Sequence, residues 1–262
     1  MKIALMDSGI GLLAAAAAVR RLRPDADLVL SSDAPEGTPW GPRTPEYVAD
    51  HALDVARAAA AHRPDALIVA CNTASVHALP ALRAALEPTL PVIGTVPAIK
   101  PSVAGGGPVA IWATPATTGS PYQRGLIDEF ARSVDVTEVP CPGLADAVQN
   151  ADETAIDLAI AAAAALTPRD VRAVVLGCTH YELVAERIRA AVRQPGLPPV
   201  ALHGSAVAVA AQALRRIGAG PAPSAEPSTA LAVLVGGRLA ELPKAALAYA
   251  EGQLLGAVSP AR

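Results

Sequence analysis

The sequence predicts an α/β fold made of two pseudo-symmetric, doubly wound parallel-sheet domains, and three observations predict it. Short apolar runs alternate with longer helix-compatible stretches along most of the 262 residues, the pattern of parallel strands joined by helical crossovers. The runs recur at a near-constant spacing, which marks one structural unit used twice. The third run of each set, Ala66 to Ala70 and Ala173 to Gly177, ends in a cysteine followed by small polar residues, Cys71-Asn72-Thr73 and Cys178-Thr179-His180.

The spacing holds at four places. Ile3-Ala4-Leu5-Met6 recurs as Val109-Ala110-Ile111-Trp112 at an offset of 106 (109 − 3), and the cysteines recur at 107 (178 − 71). Asp27-Leu28-Val29-Leu30 has its counterpart in Asp135-Val136-Thr137-Glu138, and Pro91-Val92-Ile93-Gly94 in Pro199-Val200-Ala201-Leu202, both at 108. Strands are therefore expected near residues 2–7, 27–31, 66–70 and 91–94, with helices near 10–22, 44–62 and 74–87. The second half repeats them, with strands near 108–113, 135–139, 172–177 and 199–202 and helices near 120–132, 152–166 and 181–193. Ser120 before Pro121, Thr167 before Pro168 and Thr73 before Ala74 offer a polar cap or a first-turn proline for helix starts. Gly218 to Ser228, rich in Gly, Pro and Ala, reads as a linker. Beyond it, Thr229 to Val235 reads as a further strand and Arg238 to Gln253 as a closing helix.

Composition narrows the class. Hydrophobic residues make up 52% but aromatics only 3%, so the core is built from Ala, Val and Leu. A net charge of −3 provides no footprint for a nucleic-acid backbone or an anionic membrane, and neither partner is expected. Asp7 interrupts the N-terminal apolar stretch, and Arg20, Arg21 and Arg23 stand where a signal-peptide cleavage site would lie. No uncharged apolar run approaches the roughly 18 residues of a membrane helix. Three cysteines without short spacings make neither a disulfide framework nor a strong zinc signature, so the expected compartment is the reducing cytoplasm and no metal is expected.

In open parallel sheets, ligands collect outside the carboxyl ends of the strands. The first half offers Asp7, Ser8 and Gly9, then Cys71, Asn72 and Thr73; the second offers Thr114, Thr117 and Thr118, then Cys178, Thr179 and His180. If the halves face each other across a pseudo-twofold axis, the active site lies between the domains, with a thiol on each side. Backbone N–H groups at helix starts favour an anion, so a carboxylate-bearing ligand fits. Two opposed acid–base groups suit racemisation: one removes a proton from carbon, the other returns one to the opposite face. A thiolate is a competent base, with His180 and Asp7 as assistants to one thiol each. Simpler roles stand beside these: Asp7 and the threonines as helix caps, His180 as a satisfied structural histidine, Cys141 as packing, and His51, His62 and His77 as helix-face residues.

The motifs Asp7-Ser8-Gly9-Ile10-Gly11, Cys71-Asn72-Thr73-Ala74-Ser75, Val96-Pro97-Ala98-Ile99-Lys100-Pro101, Ala113-Thr114-Pro115-Ala116-Thr117 and Gly177-Cys178-Thr179-His180-Tyr181 together resemble the aspartate/glutamate racemase superfamily, and within it the glutamate racemases. The resemblance runs from residue 1 to about residue 215. It implies a cofactor-independent isomerase that interconverts L- and D-glutamate and supplies D-glutamate for peptidoglycan of the cell wall. Cys71 and Cys178 would be the alternating base and acid, and Asp7-Ser8, Trp40-Gly41, Asn72-Thr73 and Thr179-His180 the substrate-contact pairs. Thr114 and Thr117 are added as substrate contacts from their strand-end position. The family fold also implies that residues after about 206 return to complete the first domain, giving 1–96 plus 206–262 and 97–205. The implied partner is a small acidic amino-acid substrate, with a homodimer left open. Aspartate or another carboxylate as substrate, and a low-activity carboxylate-binding homologue, are the alternatives.

The chain departs from the family pattern at four places. Leu12 replaces a second glycine after Gly11, and Trp40 replaces a tyrosine, which would put an indole at the pocket rim. Gln149 falls where the family reaches an assisting carboxylate, with Asp146 and Asp152 nearby as substitutes. His203-Gly204-Ser205 stands for an aspartate-serine-glycine.

Overall fold

A computed structural model describes residues 1–34, 40–41 and 43–257. The chain divides into two compact units, Met1–Val96 with Ala206–Arg262, and Pro97–Ser205. Each has its own parallel sheet, so the α/β class expected from the alternating runs is borne out.

In the first unit β1 (Lys2–Asp7), a 3₁₀ turn (Ile10–Leu12) and α1 (Leu13–Leu22) lead to β2 (Asp27–Ser32) and α2 (Pro45–Ala60). Then come β3 (Ala66–Val69), α3 (Asn72–His77), α4 (Leu79–Leu86) and β4 (Val92–Gly94). After the second unit the chain adds α10 (Ala206–Arg216), β9 (Leu231–Val235), β10 (Arg238–Ala240), a 3₁₀ turn (Lys244–Ala248) and α11 (Ala250–Gly256). The sheet order is β10-β9-β2-β1-β3-β4, parallel except for β10 against β9. Side chains alternate across a strand. Ala4 and Met6 therefore join Val29, Leu67, Val69 and Val92 against Val48, Ala52, Val55 and Ala59 of α2 and Leu82 of α4. On the opposite face α1, a run of buried alanines, packs against α10 and α11.

The second unit holds α5 (Ile99–Ser102), β5 (Val109–Ala113), α6 (Pro121–Phe130), β6 (Val136–Pro140), α7 (Leu144–Gln149) and α8 (Glu153–Leu166). It continues with β7 (Ala173–Leu176), a 3₁₀ helix (Thr179–Val184), α9 (Ala185–Val192) and β8 (Ala201–His203). Its order, β6-β5-β7-β8, repeats β2-β1-β3-β4 of the first unit. Val109, Ile111, Ala173 and Val175 pack on Ile99 and Ala131, with Leu126, Ile127 and Phe130 of α6 against them.

Strand register measures the repeat residue by residue. Ile3 pairs with Leu28 and Ala66, as Val109 pairs with Val136 and Ala173, reproducing the expected offsets of 106, 108 and 107. The fourth strand departs: Leu67 pairs with Val92, whereas Val174 pairs with Leu202, an offset of 110 (202 − 92) rather than 108. The stretch from Val174 to Leu202 is three residues longer than that from Leu67 to Val92 (28 against 25), two more than the expected offsets allow, and Pro199-Val200 falls before the strand.

Three other local expectations are corrected. Residues 238–253 are not one helix, because Gly236 and Gly237, at φ 55° and 73°, form a two-residue turn that folds β10 back on β9, with Val235 paired to Arg238. Two consecutive positive φ values are what such a hairpin requires, and glycine adopts them without steric penalty. Thr167 ends α8 instead of starting a helix: its hydroxyl donates to the Ala163 carbonyl (2.9 Å) and accepts from Trp112 Nε1 (2.9 Å). Thr73 lies inside the first turn of α3, whose N-cap is Cys71. The linker expected at 218–228 is borne out: without helix or strand it connects α10 to β9 within the first unit, and Arg20 Nη1 ties its end down by donating to the carbonyls of Ala26 (2.8 Å) and Ser228 (3.0 Å). Among the described residues, no helix is long and apolar enough to cross a membrane.

Candidate active site

In the first unit, the residues singled out from the sequence gather at the carboxyl ends of the neighbouring strands β1 and β3. Met6 pairs with Val69, and Ala70 N–H donates to the Met6 carbonyl (2.8 Å), so Asp7 and Cys71 leave the sheet side by side. Asp7 is fully buried, and Ser8 Oγ donates to its Oδ1 (3.5 Å). Cys71 is buried in extended backbone (φ −144°, ψ 122°), and its carbonyl accepts from Ser75 N–H (2.9 Å) to open α3. Asn72 is buried and Thr73 half-buried beside it. Ser75 and Thr95 brace this strand end, for Thr95 Oγ1 donates to the Val69 carbonyl (2.7 Å) and Thr95 N–H to Ser75 Oγ (2.9 Å).

Trp40 is not a rim residue. Its indole is 1% exposed, belongs to the core cluster that contains Cys71 and Ala74, and donates from Nε1 to Asp33 Oδ2 (2.7 Å). The same oxygen is 2.8 Å from His51 Nδ1, and the His51 ring stacks on Tyr47 with centroids 4.0 Å apart. The ring thus holds the segment before α2 against the sheet, leaving Gly41 and the local backbone as the parts of this motif open to other roles. Pro39 and Pro42, which flank it, lie outside the described residues. Leu12 is likewise core, 3% exposed within its 3₁₀ turn.

The second unit builds the corresponding arrangement at β5 and β7. Gly177 N–H donates to the Trp112 carbonyl (2.8 Å), repeating the Ala70–Met6 bond of the first unit. The approach is close enough that a Cβ on Gly177 would lie 2.7 Å from that carbonyl oxygen. Cys178 follows in extended backbone (φ −134°, ψ 138°), half-buried, as N-cap of the 3₁₀ helix that carries Thr179 and His180, both buried. Cys178 Sγ lies 3.9 Å from His180 Nδ1, and His180 Nε2 lies 2.9 Å from Gln149 Oε1 at the end of α7. Of the three candidates for an assisting group, Gln149 is thus the one that reaches His180; the Asp152 carboxylate caps α8 by accepting from Ala155 N–H (3.0 Å). Thr114, Thr117 and Thr118 form one turn after β5, with Thr114 Oγ1 3.2 Å from Thr117 Oγ1 and Thr118 Oγ1 donating to the Thr114 carbonyl (3.0 Å).

Sequence reasoning missed two supports. Glu182, on the helix after Cys178, accepts from Ser205 N–H (2.8 Å) and Ser205 Oγ (2.9 Å), which turns the divergent His203-Gly204-Ser205 into a brace for that helix. Tyr181 is fully buried with its hydroxyl donating to the Cys141 carbonyl (3.4 Å), and burial holds the phenol well above its ordinary pKa. Burial also pushes the Cys141 thiol up to about 12, as befits a packing residue. Brief iodoacetamide treatment of the native protein at neutral pH is therefore expected to label Cys178 and spare Cys141 until the chain is denatured. Peptide mass mapping checks this, and native labelling of Cys141 would refute its buried, protonated assignment.

Two units with one strand order, each closing its third strand with a cysteine, define a class that comparison with known proteins makes explicit. The chain belongs to the Asp/Glu/hydantoin racemase family, whose model matches residues 11–211. It is a racemase, an isomerase-class enzyme, and the relatives it resembles are glutamate racemases. It is 33% identical over 222 residues to the glutamate racemase of Pseudomonas putida F1, covering 83% of this chain and 82% of that protein. It is 36% identical over 196 residues to the glutamate racemase of Roseiflexus sp. RS-1, covering 72% and 70%. Among solved structures it superposes on Escherichia coli glutamate racemase, crystallised with L-glutamate and the activator UDP-MurNAc-ala, with a TM-score of 0.78 at 25% identity over 98% of this chain and 95% of that one. For the Thermus thermophilus glutamate racemase, in complex with beta-chloro-D-alanine, the TM-score is 0.69 at 29% identity over 99% and 94%.

Proposed function

We propose that the protein interconverts L- and D-glutamate without a cofactor, with Cys71 and Cys178 as the two acid–base groups, and supplies D-glutamate for peptidoglycan in the cytoplasm. The observation that carries this reading is the matched placement of the two thiols, each one residue beyond its β-strand bond to the neighbouring strand and each at the start of the next helix. The Pseudomonas and Roseiflexus relatives support glutamate as substrate.

In the proposed turnover one cysteine, as thiolate, takes the α-proton of one enantiomer, and the other, as thiol, donates its proton to the opposite face of the carbanion. The product leaves with the protonation states of the two sulfurs exchanged, and the reverse reaction uses the opposite assignment. A free thiol has a pKa of about 8.5, so an acceptor beside the sulfur assists. His180 occupies that place for Cys178, and Asp7, on the strand next to Cys71, is assigned the same task there. Ser8, Gly41, Asn72, Thr73, Thr114, Thr117 and Thr179 are assigned to the substrate's carboxylates and amine, where preorganised donors stabilise the charge that develops on deprotonation.

Incubation with L- or D-glutamate in deuterated water, followed by NMR and polarimetry, tests this. The expected result is deuterium at the α-carbon and convergence of both enantiomers to the racemate. Exchange with aspartate but not glutamate would overturn the substrate assignment. Calorimetric binding of glutamate without exchange would overturn the catalytic one.

A further inference from the structure

Gln149 closes α7, and the chain around it is fixed by its own backbone: Ala151 N–H donates to the Val148 carbonyl (3.1 Å) and Asp152 N–H to the Ala147 carbonyl (2.9 Å), with Ala151 at φ 52°. This is a left-handed helix closure that fixes the main chain at the end of α7. α7 packs directly on the 3₁₀ helix Thr179–Val184, so Gln149 is delivered to His180 by two fixed elements.

With the amide of Gln149 turned so that Oε1 faces the ring, 2.9 Å from His180 Nε2, the oxygen can only accept, and the proton of the pair belongs on Nε2. In a neutral imidazole the other nitrogen is then an acceptor, and that nitrogen, Nδ1, is the one 3.9 Å from Cys178 Sγ. We propose that Gln149 is a positioning residue that holds His180 as its Nε2–H tautomer, so that Nδ1 receives the Cys178 proton. The inference rests on the two-thiol reading above. In the step, the Cys178 S–H bond breaks, an Nδ1–H bond forms, and thiol plus imidazole become thiolate plus imidazolium. Gln149 accepts the same Nε2–H before and after. A carboxylate at this place would also neutralise the imidazolium; the amide orients the ring without stabilising its charge, and the thiolate population at Cys178 is correspondingly small.

Other titratable groups on the elements packed around this helix have partners of their own or stay protonated. Glu182 is engaged by Ser205, and Tyr181 and Cys141 stay protonated through burial. On α9, Arg187 pairs with Glu153 and Asp157, and Arg189 with Glu186. Asp146, the carboxylate of α7, adds a small charge repulsion that helps burial keep Tyr181 protonated.

Long-range ¹⁵N NMR of the full-length protein, with His180 assigned by loss of its signals in His180→Gln, tests the tautomer. Nε2–H is expected in the native protein and a mixture in Gln149→Leu; Nδ1–H in the native protein would overturn the proposal. In a Cys71→Ser, Cys141→Ser background, Gln149→Glu is expected to speed alkylation of Cys178 at neutral pH by about tenfold, the effect of lowering a thiol pKa by about one unit through a charge-stabilised partner. An unchanged rate would also overturn it. In the otherwise native chain, Gln149→Leu is expected to lower kcat with KM and melting temperature retained, and Gln149→Glu to restore turnover; equal loss in both variants would indicate a merely structural role. Silence in the deuterium-exchange experiment would defeat the two-thiol reading while leaving the tautomer and alkylation results intact, so the two failures are distinguishable.

Discussion

Replacing either Cys71 or Cys178 by alanine is expected to lower racemisation by at least about 10³-fold in both directions, since a positioned acid–base group contributes on the order of 10²–10⁴. Because the equilibrium between enantiomers is unity, kcat/KM falls equally in the two directions, so the discriminating measurement is isotope exchange. Each variant keeps one thiol, which can still remove a proton from the enantiomer it faces and return a solvent deuteron to the same side. Cys71→Ala and Cys178→Ala are therefore expected to wash in deuterium without inversion, and with opposite choice of enantiomer. Full turnover in either variant, or exchange of the same enantiomer in both, would defeat the assignment of one thiol to each face.

Trp40→Ala is expected to destabilise the first unit by about 3–5 kcal/mol, the usual cost of truncating a large buried aromatic side chain. The estimate follows from a ring that is 1% exposed and embedded among Val48, Ala52 and Cys71. Trp40→Phe keeps most of the packing but removes the Nε1–H that Asp33 accepts, and a lost hydrogen bond to a charged group costs about 1.5–3 kcal/mol. The two variants should consequently rank native, Phe, Ala in the midpoint of urea unfolding. A midpoint for Trp40→Ala within error of the native value would show that the indole does not anchor this segment.

The repeat was legible in the sequence because the central strands β1, β3, β5 and β7 are buried on both faces and therefore written as continuous apolar runs, whose spacing survives substitution of individual residues. The spacing misled only at the fourth strand, where the connection before β8 is two residues longer than the offsets predict and shifts the pairing to Leu202. Local chemistry misled where tertiary partners decide the outcome. Thr167 resembles a helix cap until Trp112 supplies its partner, and residues 238–253 resemble a helix unless Gly236-Gly237 is recognised as a hairpin turn. The candidate site divides in the same way. Strand-end positions follow from the fold, so Asp7, Cys71 and Cys178 could be placed before any coordinates. The contact of Gln149 with His180 joins residues 31 apart and depends on how α7 docks, which no local pattern encodes. The burial of Trp40 is similar: its partner Asp33 and the His51 that shares the Asp33 carboxylate lie on either side of it in sequence and meet only once α2 has packed.

The discontinuity of the first unit bears on the order in which the protein is made. Residues 97–205 leave the ribosome as one contiguous stretch and contain every strand of their own sheet. The first unit begins emerging earlier but lacks β9 beside β2, and α10 against β3 and β4, until the final fifth of the chain has been synthesised. Domains generally fold as units, N-terminal first, during synthesis. Here the rule is expected to invert, with the downstream unit completing its sheet while the upstream sheet still lacks β9 beside β2. A nascent chain stalled soon after Ser205 has cleared the exit tunnel should therefore carry a protease-resistant Cys178 unit attached to a protease-sensitive Cys71 unit.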